Sequence, residues 1–80
     1  MRDTPEMREE LNASVRGKRH VAIFTVNREY RGMVFCVWAD EVVLHNPVMV
    51  TDEGRYSMGI EEFVISLHHV EGVGIIGDPA

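Results

Sequence analysis

Four kinds of side chain in this sequence could do chemistry, and their spacing decides which of them can. Histidine is the commonest metal ligand, but His68 and His69 are adjacent in an extended run. Neighbours in a strand point to opposite faces and cannot hold one ion together. Even where the fold brings His20 and His45 together, no third spaced ligand accompanies them, so no metal is expected. The single cysteine, Cys36, sits in the apolar run Met33-Val34-Phe35-Cys36-Val37-Trp38 with no base beside it. It reads as a small hydrophobe, neither a nucleophile nor half of a disulfide. With no glycine-rich phosphate loop and no serine elbow, neither a cofactor nor an enzyme activity is expected. What remains are groups that bind. Arg16, Lys18 and Arg19 crowd together just before the first extended run. Such a cluster complements a helix dipole, contacts phosphate or meets an acidic partner. Trp38, followed by Ala39-Asp40-Glu41, either fills a core or interface or stacks on a base from an exposed tip.

The elements that must position these groups follow from pattern. Thr4-Pro5-Glu6 is a helix start, with threonine as cap and proline where its missing N–H costs nothing. The helix should cover residues 4–15, turning Met7, Leu11 and either Ser14 or Val15 to one face, with Gly17 as its stop. Two runs rich in β-branched and aromatic residues follow, split by Asn27-Arg28-Glu29, and a second break at Ala39-Asp40-Glu41 returns the chain again. Strands are predicted over residues 19–27, 30–39, 41–51, 55–59 and 64–70, with Pro47 marking a bend and Asp52-Glu53-Gly54 a hairpin turn. Ile60-Glu61-Glu62-Phe63 is predicted to form one helical turn before the last strand, leaving residues 71–80 as a glycine-rich tail. The reading is mainly β: one domain over residues 1–80, a small five-stranded, strongly bent antiparallel barrel with an N-terminal helix.

The second strand is apolar on both faces, which a half-exposed antiparallel strand is not. In a chain of 80 residues, a monomer buries only about 60% of its unfolded surface, so self-association is the natural cover. The formal net charge is −5, which opposes general nucleic-acid binding through phosphate neutralisation. However, seven of the eight basic residues lie at or before Arg31, so one end of the fold is expected to be basic and another acidic. No window has the length and apolarity of a transmembrane helix or a signal peptide, and a cytosolic protein without membrane contact is expected.

Leu11-Asn12-Ala13, Arg16, Val21, Ile23, Phe24, Val26-Asn27, Gly32-Met33-Val34 and Val42-Val43-Leu44-His45-Asn46 together resemble the Sm and Sm-like proteins, most of all the bacterial RNA chaperone Hfq. The resemblance covers about residues 4–70. It implies a bent five-stranded sheet capped by the helix, with the fourth strand of one subunit pairing to the fifth of the next in a ring of five to seven copies.

The resemblance also implies where RNA would bind. In the Sm family the loop after the second strand holds a uracil with an aspartate and an asparagine. Here Asp40 answers the aspartate after a one-residue shift, and the asparagine is missing. In Hfq a tyrosine-lysine-histidine run before the last strand completes the pocket; the counterpart is read as Ile60-Glu61-Glu62, whose carboxylates would repel RNA. An inner-ring site is therefore expected to be lost. The outer rim of Hfq uses an asparagine and basic residues at the helix end, matched by Asn12, Arg16 and Lys18 with Arg19 beside them. The sequence thus points to a ring binding single-stranded RNA weakly through Asn12, Arg16, Lys18, Arg19, Trp38 and Asp40. The alternative is a ring-forming structural or protein-interaction module, of phage or mobile-element origin, that binds no RNA.

Overall fold

The computed structural model describes residues 4–77. Helix α1 spans Pro5–Gly17. Thr4 starts it from an extended backbone, its hydroxyl oxygen accepting a hydrogen bond from the Met7 N–H at 3.1 Å. Gly17 is still helical. The residue that ends the helix is Lys18, left-handed at φ 53°, and its N–H reaches back to the carbonyls of Ser14 and Val15. Leu11 and Ser14 are fully buried, with Met7 and Val15 packed against the same core. The Ser14 hydroxyl donates to the Glu10 carbonyl at 3.0 Å, so its burial strands no polar group.

Six strands follow: β1 His20–Thr25, β2 Glu29–Trp38, β3 Glu41–Thr51, β4 Gly54–Ser57, β5 Glu62–Ser66 and β6 Val70–Gly77. Every pairing is antiparallel, in the order β4-β3-β2-β1-β6, with β5 also on β3. The fold is a mainly β, bent antiparallel sheet with one N-terminal helix. β3 is the spine, because its second half pairs with β4 and its first half with β5. The bend lies at Asn46, left-handed at φ 53°, and the buried Pro47. There the Asn46 N–H donates to the Glu61 carbonyl and the Met58 N–H to the Pro47 carbonyl. Gly32 of β2 lies under this bend; a Cβ there would come 3.0 Å from the His45 carbonyl oxygen, so only glycine fits without displacing backbone.

The last third differs from the expectation in order and in kind. Residues 60–63 form no helical turn: Glu62 and Phe63 pair with His45 and Leu44 of β3, and the Phe63 ring packs at 5.0 Å on Tyr30. The turn is instead the 3₁₀ segment Leu67–His69, entered through Ser66, whose hydroxyl accepts the His68 N–H, and anchored by the fully buried Leu67. The last strand is not 64–70 but Val70–Gly77. The glycine-rich tail thus pairs along β1, with Phe24 close enough to touch a Cβ at either Gly72 or Gly74. Glycine lowers strand propensity, but here an aromatic ring on the neighbouring strand covers the missing side chains. Five strands were expected and six are present, because the expected fifth lies at Glu62–Ser66 and the segment read as a tail forms a sixth.

The core is Leu11, Val21, Ile23, Val34, Val42, Leu44, Ile65, Leu67 and Val70. Outside it, the apolar character of β2 stays uncovered within the chain: Phe35 is 52% exposed and Trp38 74%. Within the described residues β5 pairs only with β3 and β6 only with β1, so each has an open edge.

Candidate functional site

Two groups of candidate residues lie at opposite ends of α1. At its C-terminal end Asn12, Arg16, Lys18 and Arg19 are all exposed. The left-handed turn at Lys18, closed by the Arg19 N–H on the Ser14 carbonyl at 3.0 Å, presents three cations within four residues of chain. None of the three forms an ion pair with another described residue. The cluster is therefore free to neutralise an anion brought to it.

The second group surrounds the β2–β3 hairpin, whose two-residue tip is Ala39-Asp40, with Ala39 at φ 52°. Arg8, near the N-terminal end of α1, donates to the Ala39 carbonyl at 2.7 Å and to the Asp40 carboxylate at 3.1 Å. The Leu67 N–H donates to the Asp40 carbonyl at 2.7 Å, and His68 Nε2 lies 3.8 Å from the other Asp40 carboxylate oxygen. Helix, hairpin and 3₁₀ turn are thus tied together at one aspartate. Asp40, read from the sequence as the counterpart of the family's base-holding aspartate, has its carboxylate shared between Arg8 and His68. Trp38 projects beside it, in one cross-strand row with Glu41 and Ser66. At 1.5 Å per residue, the eight residues from Arg8 to Arg16 separate this group from the basic cluster by about 12 Å, so the sequence-predicted residues form two sites.

The turn before the last strand also changes the chemistry expected of it. Glu61 and Glu62 are not in that turn: Glu61 braces the bend of β3 through its carbonyl, and Glu62 sits in β5, its carboxylate 3.2 Å from His45 Nε2. The turn carries His68 and His69, both exposed. Glu61 and Glu62 therefore do not stand in the turn before the last strand. His68 and His69 lie in a 3₁₀ turn, where the opposite-face argument drawn from a strand does not apply. Among the described residues, no group of three or more histidine, cysteine, aspartate or glutamate side chains could hold a metal. His20 and His45 flank Met33 in one cross-strand row, and the His45 ring stacks on Phe35 at 4.2 Å and 11°. Cys36 is half-buried.

Sequence reasoning missed Arg8 and the two turn histidines as partners of Asp40. Arg8 lies 32 residues from Asp40, and nothing local signals that contact. The histidines had a usable local signal in Ser66, which caps a turn two residues later. It also missed a groove of about 560 Å³ between the β1–β2 turn and β5, lined by Val26, Arg28, Tyr30, Phe63, His69 and Glu71 among others.

The sequence matches no protein-family model and no curated protein. By structure the chain is similar to a heptameric archaeal Sm protein, with 16% identity, a TM-score of 0.72 and coverage of 85% of this chain and 97% of that one. It is similar to the P. aerophilum SmAP1 heptamer at 15% identity and a TM-score of 0.74, over 96% of this chain and 99% of that one. A third similar structure is the Pyrococcus abyssii Sm protein in complex with a uridine heptamer, at 20% identity and a TM-score of 0.67, covering 91% of this chain and 99% of that one. The chain has the Sm fold. No helix among the described residues is long and apolar enough to cross a membrane.

Proposed function

We propose that this Sm-fold chain assembles into a homo-oligomeric ring of five to seven subunits and binds single-stranded RNA weakly, in the cytoplasm and without catalysing a reaction. Of the Sm-like proteins it is nearest in kind to Hfq, with the base-holding residues degraded. The observation that carries the reading is the cluster Arg16, Lys18 and Arg19, exposed, free of ion pairs with the described residues and flanked by Asn12. Cations without partners at a helix end meet backbone phosphates without displacing an existing contact. Trp38, exposed beside Asp40, adds a surface on which a base can stack. Binding is weak because this cluster acts against a formal net charge of −5.

Assembly is supported by the open edges of β5 and β6 and by the exposed apolar side chains on or near them, Val26, Val64, Ile75 and Ile76. Unpaired edges with apolar flanks are stabilised by pairing with another copy. A mass of one chain, 9.1 kDa, by light scattering at micromolar concentration would refute the ring.

A second reading has its own observation. The outer face of β2, β3 and β5 carries Phe35 and Val64, both about half exposed, with Trp38 more so, which suits a protein partner. If neither uridine-rich nor adenine-rich oligonucleotides bind even at low salt, the ring is an assembly or protein-interaction module and the RNA role falls.

A further inference from the structure

We infer that two rings of this chain pair face to face through the outer surface of β2, β3 and β5, giving a double ring. The inference rests on the ring of the reading above, not on its RNA binding, and commits that face to one occupant, a second copy of the same ring. The register lays the face out in three cross-strand rows. Cys36, Val43 and Val64 form the middle row. Met33, His45 and Glu62 flank it on one side, and Trp38, Glu41 and Ser66 on the other. Phe35 is the extra residue where the β2–β3 register shifts between Val34 and Cys36. Its ring lies on His45, which places it on the same face, next to the middle row.

From these same strands Val34, Val42, Leu44 and Ile65 point into the core, where Leu11 brings α1 against them. Side chains alternate across a strand, so the three rows point away from the core and α1 lies on the other side of the sheet. Pairing through the rows leaves Arg16, Lys18 and Arg19 uncovered on both rings.

Area decides what can cover this face. Phe35 is 52% exposed and Val64 49%. With the half-buried Met33, Cys36 and Val43, and Trp38 left at the rim, each chain offers about 300 Å² of apolar surface. Two single chains meeting there would bury about 600 Å², half of the roughly 1,200 Å² at which specific interfaces begin. A ring of five to seven copies repeats the patch to about 1,500–2,000 Å², so two facing rings bury about 3,000–4,000 Å², the size of a permanent homo-oligomer contact. Because the patches engage together, the ring makes strong a contact that is too weak for one pair. Charge decides between classes of occupant. The three rows hold two carboxylates, Glu41 and Glu62, and no lysine or arginine, so the face repels phosphate and suits a protein. Each flanking row also carries a donor with its carboxylate, His45 with Glu62 and Ser66 with Glu41, so a facing copy supplies what each rim needs.

The test is the mass of the full chain by light scattering at about 100 µM, well above a micromolar dissociation constant. The expected mass is twice that of a ring of five to seven chains. Phe35→Glu and Val64→Glu, made separately at two exposed positions, should each halve it while keeping the oligouridine affinity of the unsubstituted protein. Alkylation of Cys36 by iodoacetamide, read by mass spectrometry, should be fast in Val64→Glu and suppressed in the unsubstituted protein, where the middle row is shut away from water. If one substitution dissolves the ring itself, the other variant and the Cys36 measurement decide. An unsubstituted protein with the mass of a single ring overturns the double ring and leaves the ring standing. A doubled mass that both variants retain, or equal reactivity of Cys36 in all three proteins, overturns it too, because the rings then meet through another face. Loss of oligonucleotide binding in a Phe35→Glu variant that keeps its ring gives the face to nucleic acid and likewise overturns the pairing. A mass of one chain overturns the ring and the double ring together.

Discussion

Replacing Arg16, Lys18 and Arg19 together by alanine tests whether the basic end of α1 is a phosphate-binding surface or only the charged end of a helix. All three are exposed and none pairs with a described residue, so each can release one counterion on meeting a phosphate. For a single strand, the slope of log affinity against log salt is about −0.7 per phosphate neutralised. Three contacts therefore give about −2. Raising salt from about 50 to about 200 mM should weaken binding by about twenty-fold. The triple variant should bind weakly at the lower salt and show a slope near zero. Fluorescence anisotropy of a labelled oligouridine, titrated at four or five salt concentrations near neutral pH, reads the slope directly, independent of uncertainty in absolute affinity. Circular dichroism controls for the helix, since losing a cation beside a helix C-terminus costs about 0.3–1 kcal/mol. A variant that keeps both its affinity and its slope would show that phosphates are met elsewhere on the protein.

Three further outcomes follow from the geometry. Leu11→Ala removes the fully buried side chain by which α1 enters the core and should lower stability by about 2–5 kcal/mol in urea unfolding; a loss below 1 kcal/mol would mean the helix is not docked as described. Lys18→Gly relieves a left-handed residue at φ 53° and should raise stability by about 0.5–1 kcal/mol, while removing one cation from the basic cluster. Gly32→Ala would force a Cβ to within 3.0 Å of the His45 carbonyl oxygen and should cost about 1–3 kcal/mol; an unchanged denaturation midpoint would show that the bend at Pro47 can yield.

The front of the fold was legible because its signals are local. Thr4-Pro5 fixes where α1 begins, and the breaks at residues 27–29 and 39–41 fix the first two hairpins whatever lies across from them. The back was misread because its signals are not local. Whether Glu62-Phe63 is helical or extended depends on the free flank of β3 and on Tyr30, more than thirty residues earlier in the chain. The run from Gly72 to Gly77 looks like a tail until Phe24 of β1 is laid over it. The left-handed cap on Lys18, beside an available Gly17, has no sequence signature, since it is set by where Ser14 and Val15 leave carbonyls to be capped.

That misreading bears directly on the site. With the last turn at residues 60–63, the carboxylates of Glu61 and Glu62 would stand next to the hairpin tip. With the turn at Leu67–His69, the same tip faces two imidazoles, and Asp40 joins α1, the hairpin and the turn. The sheet register decides this difference, because only the pairing of Glu41 with Ser66 brings His68, two residues further on, to the hairpin tip. A shift of two residues in that register would preserve the inward and outward alternation of β5 while moving His68 about 7 Å along the strand, out of reach of Asp40. The chemistry of this end of the protein therefore depends on the alignment of two strands more than on the identity of any one residue in the turn.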